Sequence, residues 1–293
     1  EHKTTVIDMC FKGRIEITSK KFTLAESKKR SHEEMETGKS ETNYTDYDVT
    51  TSTKISDFLM LSLDLPPIPL FKNKNRDLVV QQLPLYSLLG KFDGVKTTKE
   101  IWNNIEKTYR ITSLPRYLLM NINRFTKNEF FFEKDTSIVL FPVRNLEMKD
   151  FFFPPVRAAT REIVMKMSSK PLRAFITHNG EECAKDASFE DLRAHALAMV
   201  ERGGMLLPVM TCTKFDLVAN LCHDVELKEG GDDTRKVAQN PIETGCYRIH
   251  LRNAADNTWY EVQELLVKET QPELVSVSES SILIYKRDRK SVV

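Results

Sequence analysis

The sequence predicts an α+β fold dominated by antiparallel strands. Three observations carry this expectation. The stretch from Phe215 to Arg287 holds four short β-branched or aromatic runs, around Phe215, Tyr247, Trp259 and Ile282, each bounded by Gly, Asn, Asp or Pro. That is the pattern of an antiparallel meander. Further upstream, Phe58-Leu-Met-Leu-Ser-Leu-Asp-Leu65 and Tyr117–Ile122 read as strands of a core sheet. Helical spacing is confined to a few segments.

Taken in order, residues 4–18 read as two strand-like pieces around Phe11-Lys-Gly13-Arg-Ile-Glu-Ile17, because Arg14-Ile15-Glu16-Ile17 alternates polar and apolar. Residues 25–50 are Ser, Thr, Glu, Lys and Asp with almost nothing apolar, the composition of a disordered loop. The run Lys28-Lys29-Arg30 within it reads as solvated charge. The strand from Phe58 is stopped by Pro66-Pro67. Leu85, Leu88, Leu89 and Phe92 recur at helical spacing, and Gly94 is a natural stop. A second helix is expected over Thr98–Thr108, with Ile101, Trp102 and Ile105 on its inner face. Phe130-Phe-Phe132 and Ile138–Pro142 continue the β pattern.

Residues 151–213 change character. Ser188 and Asp191 have the spacing of a capping box, which starts a helix. Phe189, Leu192, Ala196, Met199 and Val200 fall on one face of it, and Gly203-Gly204 ends it. Another helix is expected around Arg157–Met167. The expected organisation is therefore 1–150, an inserted helical segment 151–213, and 214–288. Residues 226–244 form a second, polar insertion.

The 43 basic and 42 acidic residues nearly cancel, so the charge balance gives no argument for binding nucleic acid through a general basic surface, and no direct DNA binding is expected. Cys10, Cys183, Cys212, Cys222 and Cys246 are scattered, odd in number and free of Cys-x-x-Cys pairs. This predicts no disulfide framework and no zinc site. No apolar run is long enough to cross a bilayer, and no signal peptide is visible. The chain starts at Glu1 with apolar Val6-Ile7 close behind, and reads as a fragment that begins inside a fold.

Several blocks, in order, resemble the ubiquitin-specific protease family. Phe58, Leu61, Ser62, Leu63, Leu65 and Pro66 match its Phe-x-x-Leu-Ser-Leu-x-Ile-Pro. Leu114, Pro115, Leu118, Arg124 and Phe125 match its Leu-Pro-x-x-Leu-x-x-x-x-x-Arg-Phe, and Phe141, Pro142 and Leu146 its Phe-Pro block. The run Phe215 to His223, then Gly245 and Tyr247, then Trp259, resembles its histidine box. The resemblance implies the palm and fingers of that papain-like fold, without its N-terminal part. It also implies structural roles for His223, Gly245, Tyr247, Trp259, Arg124 and Phe125. Most active members carry two zinc-binding Cys-x-x-Cys pairs; here Tyr109-Arg-Ile-Thr-Ser takes the place of the second.

A protease of this kind needs a thiolate, an imidazole to take its proton, and a third group to orient the imidazole. The alignment puts Cys246 where the family has the catalytic His, and Gln263 where it has Asp or Asn. An amide oxygen can orient an imidazole, so Gln263 alone decides nothing; a thiol is a poor base for another thiol, so Cys246 does. Cys246 as a nucleophile would have no base beside it and reads as a small half-buried thiol. The family's own nucleophile block does not occur in these residues. His250, four residues along the strand, lies ~13 Å from the required position. His178 and His195 read as surface residues of the insertion.

Within the family, Arg124–Lys134, Gly245–His250 and Trp259–Glu261 resemble a catalytically inactive branch that works in the spliceosome. This implies a nuclear splicing scaffold without a cofactor. Its partners would be proteins of the U4/U6.U5 tri-snRNP, including the helicase that unwinds the small nuclear RNA pair. Two other readings stand beside it. One is an active cysteine-type deubiquitinase whose nucleophile lies upstream, which Cys246 opposes. The other is a module that binds ubiquitin weakly, which the missing zinc fingers oppose.

Overall fold

The computed structural model describes residues 4–24, 47–67, 81–100, 104–127, 132–184, 186–208, 212–225 and 245–288. Its chain contacts divide into two compact units, one helical and built from Phe153–Cys212, the other β-rich and built from the segments on either side.

The β-rich unit opens with a short helix, α1 (Val6–Phe11), where the sequence suggested a strand. The reason is local. Thr5 accepts the Asp8 backbone N–H while Asp8 accepts the Thr5 N–H, a reciprocal cap that the apolar Val6-Ile7 masks in the sequence. Then β1 (Gly13–Leu24) pairs antiparallel with β2 (Tyr47–Phe58) over its whole length. Residues 47–50 therefore belong to a strand, although the loop composition had included them; the rest of that loop lies outside the described residues.

β3 (Met60–Asp64) buries Leu61 and Leu63 and exposes the residues between, as its alternation predicts. After β4 (Gln82–Pro84), helix α2 (Leu85–Leu89) and a 3-10 turn through Phe92 bury Leu85, Leu88, Leu89 and Phe92. Among the described residues the helix expected over Thr98–Thr108 is not formed; Ile101 and Trp102 lie outside them. β5 (Thr98–Glu100) and β6 (Ile105–Ser113) stand there, paired antiparallel, with Asn104 at φ 49° just before β6. A left-handed residue ends a helix, and β6 gains backbone partners along β1 that an isolated helix would lack. These strands complete a four-stranded sheet in the order β2-β1-β6-β5.

β7 (Tyr117–Asn123) buries Leu118, Met120 and Ile122 and sits between β3 and the last strand. The hairpin β8 (Phe125–Lys127) with β9 (Phe132–Lys134) follows, then β10 (Ile138–Leu140) and β11 (Leu146–Glu147). The helical unit comes next: α3 (Arg161–Met165), α4 (Ser169–His178) and α5 (Phe189–Arg202). α3 is shorter than the expected Arg157–Met167, and α4 was not foreseen. Leu172, Phe175, Ile176, Leu192, Ala196 and Met199 form this unit's own core. The Ser188–Asp191 capping box is present at the start of α5.

β12 (Lys214–Val225) returns to the β-rich unit and is its central strand. β13 (Gly245–Arg252), β14 (Trp259–Gln263) and β15 (Leu266–Thr270) extend the sheet on one side as a meander. Helix α6 (Pro272–Ser276) then leads to β16 (Ser280–Arg287) on the other side of β12. The eight-stranded sheet runs β15-β14-β13-β12-β16-β7-β3, with β11 beside the start of β12. It is antiparallel except for the β3–β7 pair. Phe215, Leu217, Leu283, Tyr285 and Trp259 join the β3 and β7 residues in one core. Each such side chain contributes about 1.5–3 kcal/mol on burial.

Candidate functional site

The β12–β13 register, Asp224 opposite Cys246 and His223 opposite Tyr247, divides the side chains between the two sheet faces. Cys246, Arg248 and His250 project on one face with Asp224, Cys222 and Asn220. β14 adds Glu261 and Gln263 there, because Glu261 stands opposite His250. Cys246 and Gln263 meet on this face: Gln263 Nε2 donates to Cys246 Sγ at 3.1 Å. Both are half-buried.

Behind that pair runs a charged array. Arg248 grips Asp224 with Nε at 2.9 Å and Nη2 at 3.1 Å, and reaches Glu261 with Nη1 at 3.0 Å. Burial raises the Glu261 carboxyl, but the Arg248 guanidinium outweighs it and holds the group below its ordinary range. His250 Nε2 lies 3.3 Å from the same Glu261 oxygen. The imidazole is buried, and desolvation with Arg248 nearby lowers its pKa. On its other side Asn220 donates to Ser278 Oγ at 2.7 Å, and Ser278 donates to the Val275 carbonyl at 2.7 Å. This chain of bonds ties α6 to the sheet. Cys222 is buried here, 4.0 Å from His250 Nδ1, and burial pushes its thiol up.

The opposite face carries His223 and Tyr247. The His223 ring packs edge-on to Phe125 at 5.3 Å and Tyr247 at 5.0 Å between centroids. It is 1% exposed, and neither ring nitrogen has a hydrogen-bond partner among the described residues. Desolvation, with Lys134 close by, lowers its pKa. Gly245 is required beside it, since a Cβ there would lie 2.2 Å from the imidazole. Lys134 donates to the His223 carbonyl and to Glu279, the latter at 2.5 Å. Arg124 is 1% exposed and donates to the carbonyls of Ser280, Asp135 and Ser137 at 2.7, 2.9 and 2.6 Å. Trp259 shares the face of Glu261 and Gln263 on β14 and is buried in the core.

Neither nearby histidine serves the Cys246–Gln263 pair. His250 is taken up by Glu261 and Asn220, and His223 faces the other side of the sheet. His178 is exposed on α4, and His195 pairs with Glu181 at 2.5 Å in the helical unit. Among the described residues no group of three or more His, Cys, Asp or Glu is placed to hold a metal ion. The sequence reading missed the Arg248–Asp224–Glu261–His250 array. The signal was available: Arg248 and His250 share parity with Cys246, and Glu261 with Gln263.

Residues 1–285 match the family described as ubiquitin carboxyl-terminal hydrolase. The chain belongs to that family. Among curated relatives it is 28% identical over 287 residues to ubiquitin carboxyl-terminal hydrolase 39 of Mus musculus, covering 97% of this chain and 38% of the relative. It is 25% identical over 284 residues to a probable mRNA-splicing protein, ubp10, of Schizosaccharomyces pombe, covering 97% of this chain and 42% of the relative. The chain thus spans about two-fifths of the length of these relatives. The solved structure of the Ubp8-Sgf11-Sgf73-Sus1 SAGA DUB module is similar over 98% of this chain and 42% of its own, with a TM-score of 0.50 and 15% identity. At that identity the likeness shows the fold alone, a ubiquitin-specific protease fold.

Proposed function

We propose that this chain is the palm and fingers of a catalytically inactive ubiquitin-specific-protease-like protein that acts in pre-mRNA splicing. In this reading it is a scaffold of the U4/U6.U5 tri-snRNP, in the nucleus. One observation carries the loss of catalysis. The side chains at the family's base and orienting positions are Cys246 and Gln263, and they bond to each other. A thiol holding an amide N–H has no basic nitrogen to offer a nucleophile, and Gln263 has no imidazole to orient. Without that dyad, what remains of such a site is orders of magnitude slower. The charged array behind the pair spends Arg248, Glu261 and His250 on holding strands and α6 together rather than on proton transfer.

The splicing role is supported by the relative named a probable mRNA-splicing protein, which aligns over 97% of this chain. A fold that retains a protease's sheet but not its chemistry keeps surfaces, and surfaces bind proteins. The partners proposed are tri-snRNP proteins, the RNA-unwinding helicase among them. The test is affinity purification of the tagged full-length protein from nuclear extract, together with its depletion. Co-purification of tri-snRNP proteins and intron retention on depletion support the reading. Normal splicing with accumulating ubiquitin conjugates contradicts it.

A further inference from the structure

The four-stranded sheet ends unevenly. One edge, β5, is three residues long, whereas the other, β2, is 12 residues long. Among the described residues β2 pairs with β1 and presents its other edge unpaired. Natural edge strands are usually blunted by proline, bulges, inward charges or shortness. β2 contains no proline or glycine, and its 12-pair register with β1 is unbroken by a bulge. Val49 and Ile55 are 52% and 62% exposed on it.

We propose that β2 is the docking edge for a second copy of this chain, two β2 strands pairing antiparallel across a two-fold axis through Ser52. The strand's own sequence selects the partner and the register. A two-fold axis normal to the sheet keeps each side chain on its own face, so the axis must pass through a residue. With Ser52 on it, Val49 meets Ile55 of the other copy and Thr51 meets Thr53. Apolar and Thr–Thr cross-strand pairs of this kind stabilise sheets. Thr50 opposes Lys54, and Asp48 opposes Ser56, which sets Asp48 diagonal to the exposed Lys54 of the other copy, within reach of a long side chain. The axis repeats that ion pair. No like charges oppose one another: Asp57 faces Tyr47 and is already held by Lys12 at 2.6 Å. Moving the axis by one residue, to Thr53, sets Val49 against Asp57 and breaks the apolar match. The product is one continuous eight-stranded sheet across both copies.

Sedimentation velocity of the full-length protein over a range of concentrations tests this. Wild type is expected to dimerise. Lys54→Glu and Asp48→Lys each replace both diagonal attractions with repulsions and should weaken the dimer about tenfold, while the double variant restores it. Ser52→Cys should form a disulfide-linked dimer on mild oxidation that wild type does not form. The substituted side chains are exposed, so circular dichroism should be unchanged in every variant. A monomer at all concentrations, or a dimer indifferent to the charge variants, overturns the proposal. So does a monomer that loses a different bound protein from nuclear extract on Lys54→Glu, since the edge would then serve a foreign strand.

Discussion

Gln263 on β14 donates its amide N–H to the Cys246 sulfur on β13 across 3.1 Å, so two side chains on neighbouring strands close on each other. Introducing an imidazole and a carboxylate at these positions tests whether the frame can hold the proposed dyad. Cys246→His with Gln263→Asp is expected to fold, because both sites are half-buried and at the sheet's end. The new pair should show as a downfield imidazole proton in NMR, absent from the Cys246→His single variant. Loss of the folded state in the double variant would show that the surrounding array no longer accommodates the dyad.

Arg124 is the second target. Its guanidinium satisfies three buried carbonyls from two separate segments. Arg124→Met leaves those acceptors without partners and should cost at least about 3 kcal/mol. Urea denaturation measures it. A loss under about 1 kcal/mol would show that water or neighbouring donors replace the guanidinium.

Gly245 and His223 should couple. A methyl group at Gly245 meets the imidazole at 2.2 Å, so Gly245→Ala should destabilise by about 1–3 kcal/mol. Truncating the ring in Gly245→Ala/His223→Ala should recover only part of that penalty, because the added Cβ also lies 2.8 Å from the Asp224 carbonyl oxygen. A double-mutant cycle with no interaction energy would contradict the packing described.

Acid sensitivity follows from the two buried imidazoles. His223 and His250 both have folded-state pKa values below their ordinary 6.5, chiefly through desolvation. The unfolded chain therefore binds protons first as pH falls. Their contribution is fully present above about 6.5 and is lost progressively below it. The urea midpoint should drop between pH 7.5 and 5.5, and His223→Phe should flatten the drop. A midpoint that rises on acidification would reverse the sign.

The large sheet was legible because its strands announce themselves one at a time. Leu61 and Leu63, or Leu118, Met120 and Ile122, alternate with residues that face away from the core, and Pro66-Pro67 stops the first run. α5 was legible through Ser188 and Asp191. The failures occurred where pairing across long separations outweighs local pattern. Thr98–Thr108 carries helical spacing, but β1 offers β6 a ladder and Asn104 turns the chain. α4 hid behind Pro171, which a first helical turn tolerates. At the site, Cys246 and Gln263 could be named from the frame. The Arg248 array could not, because charged residues on strands read as solvated until the register sets Glu261 opposite His250.

The proposed loss of protease chemistry is tested by reaction of the purified full-length protein with ubiquitin carrying a C-terminal fluorophore, and with a ubiquitin-based electrophile. No fluorophore release above background and no covalent adduct are expected. Robust turnover by the wild-type protein, abolished by changing a single cysteine, would contradict it.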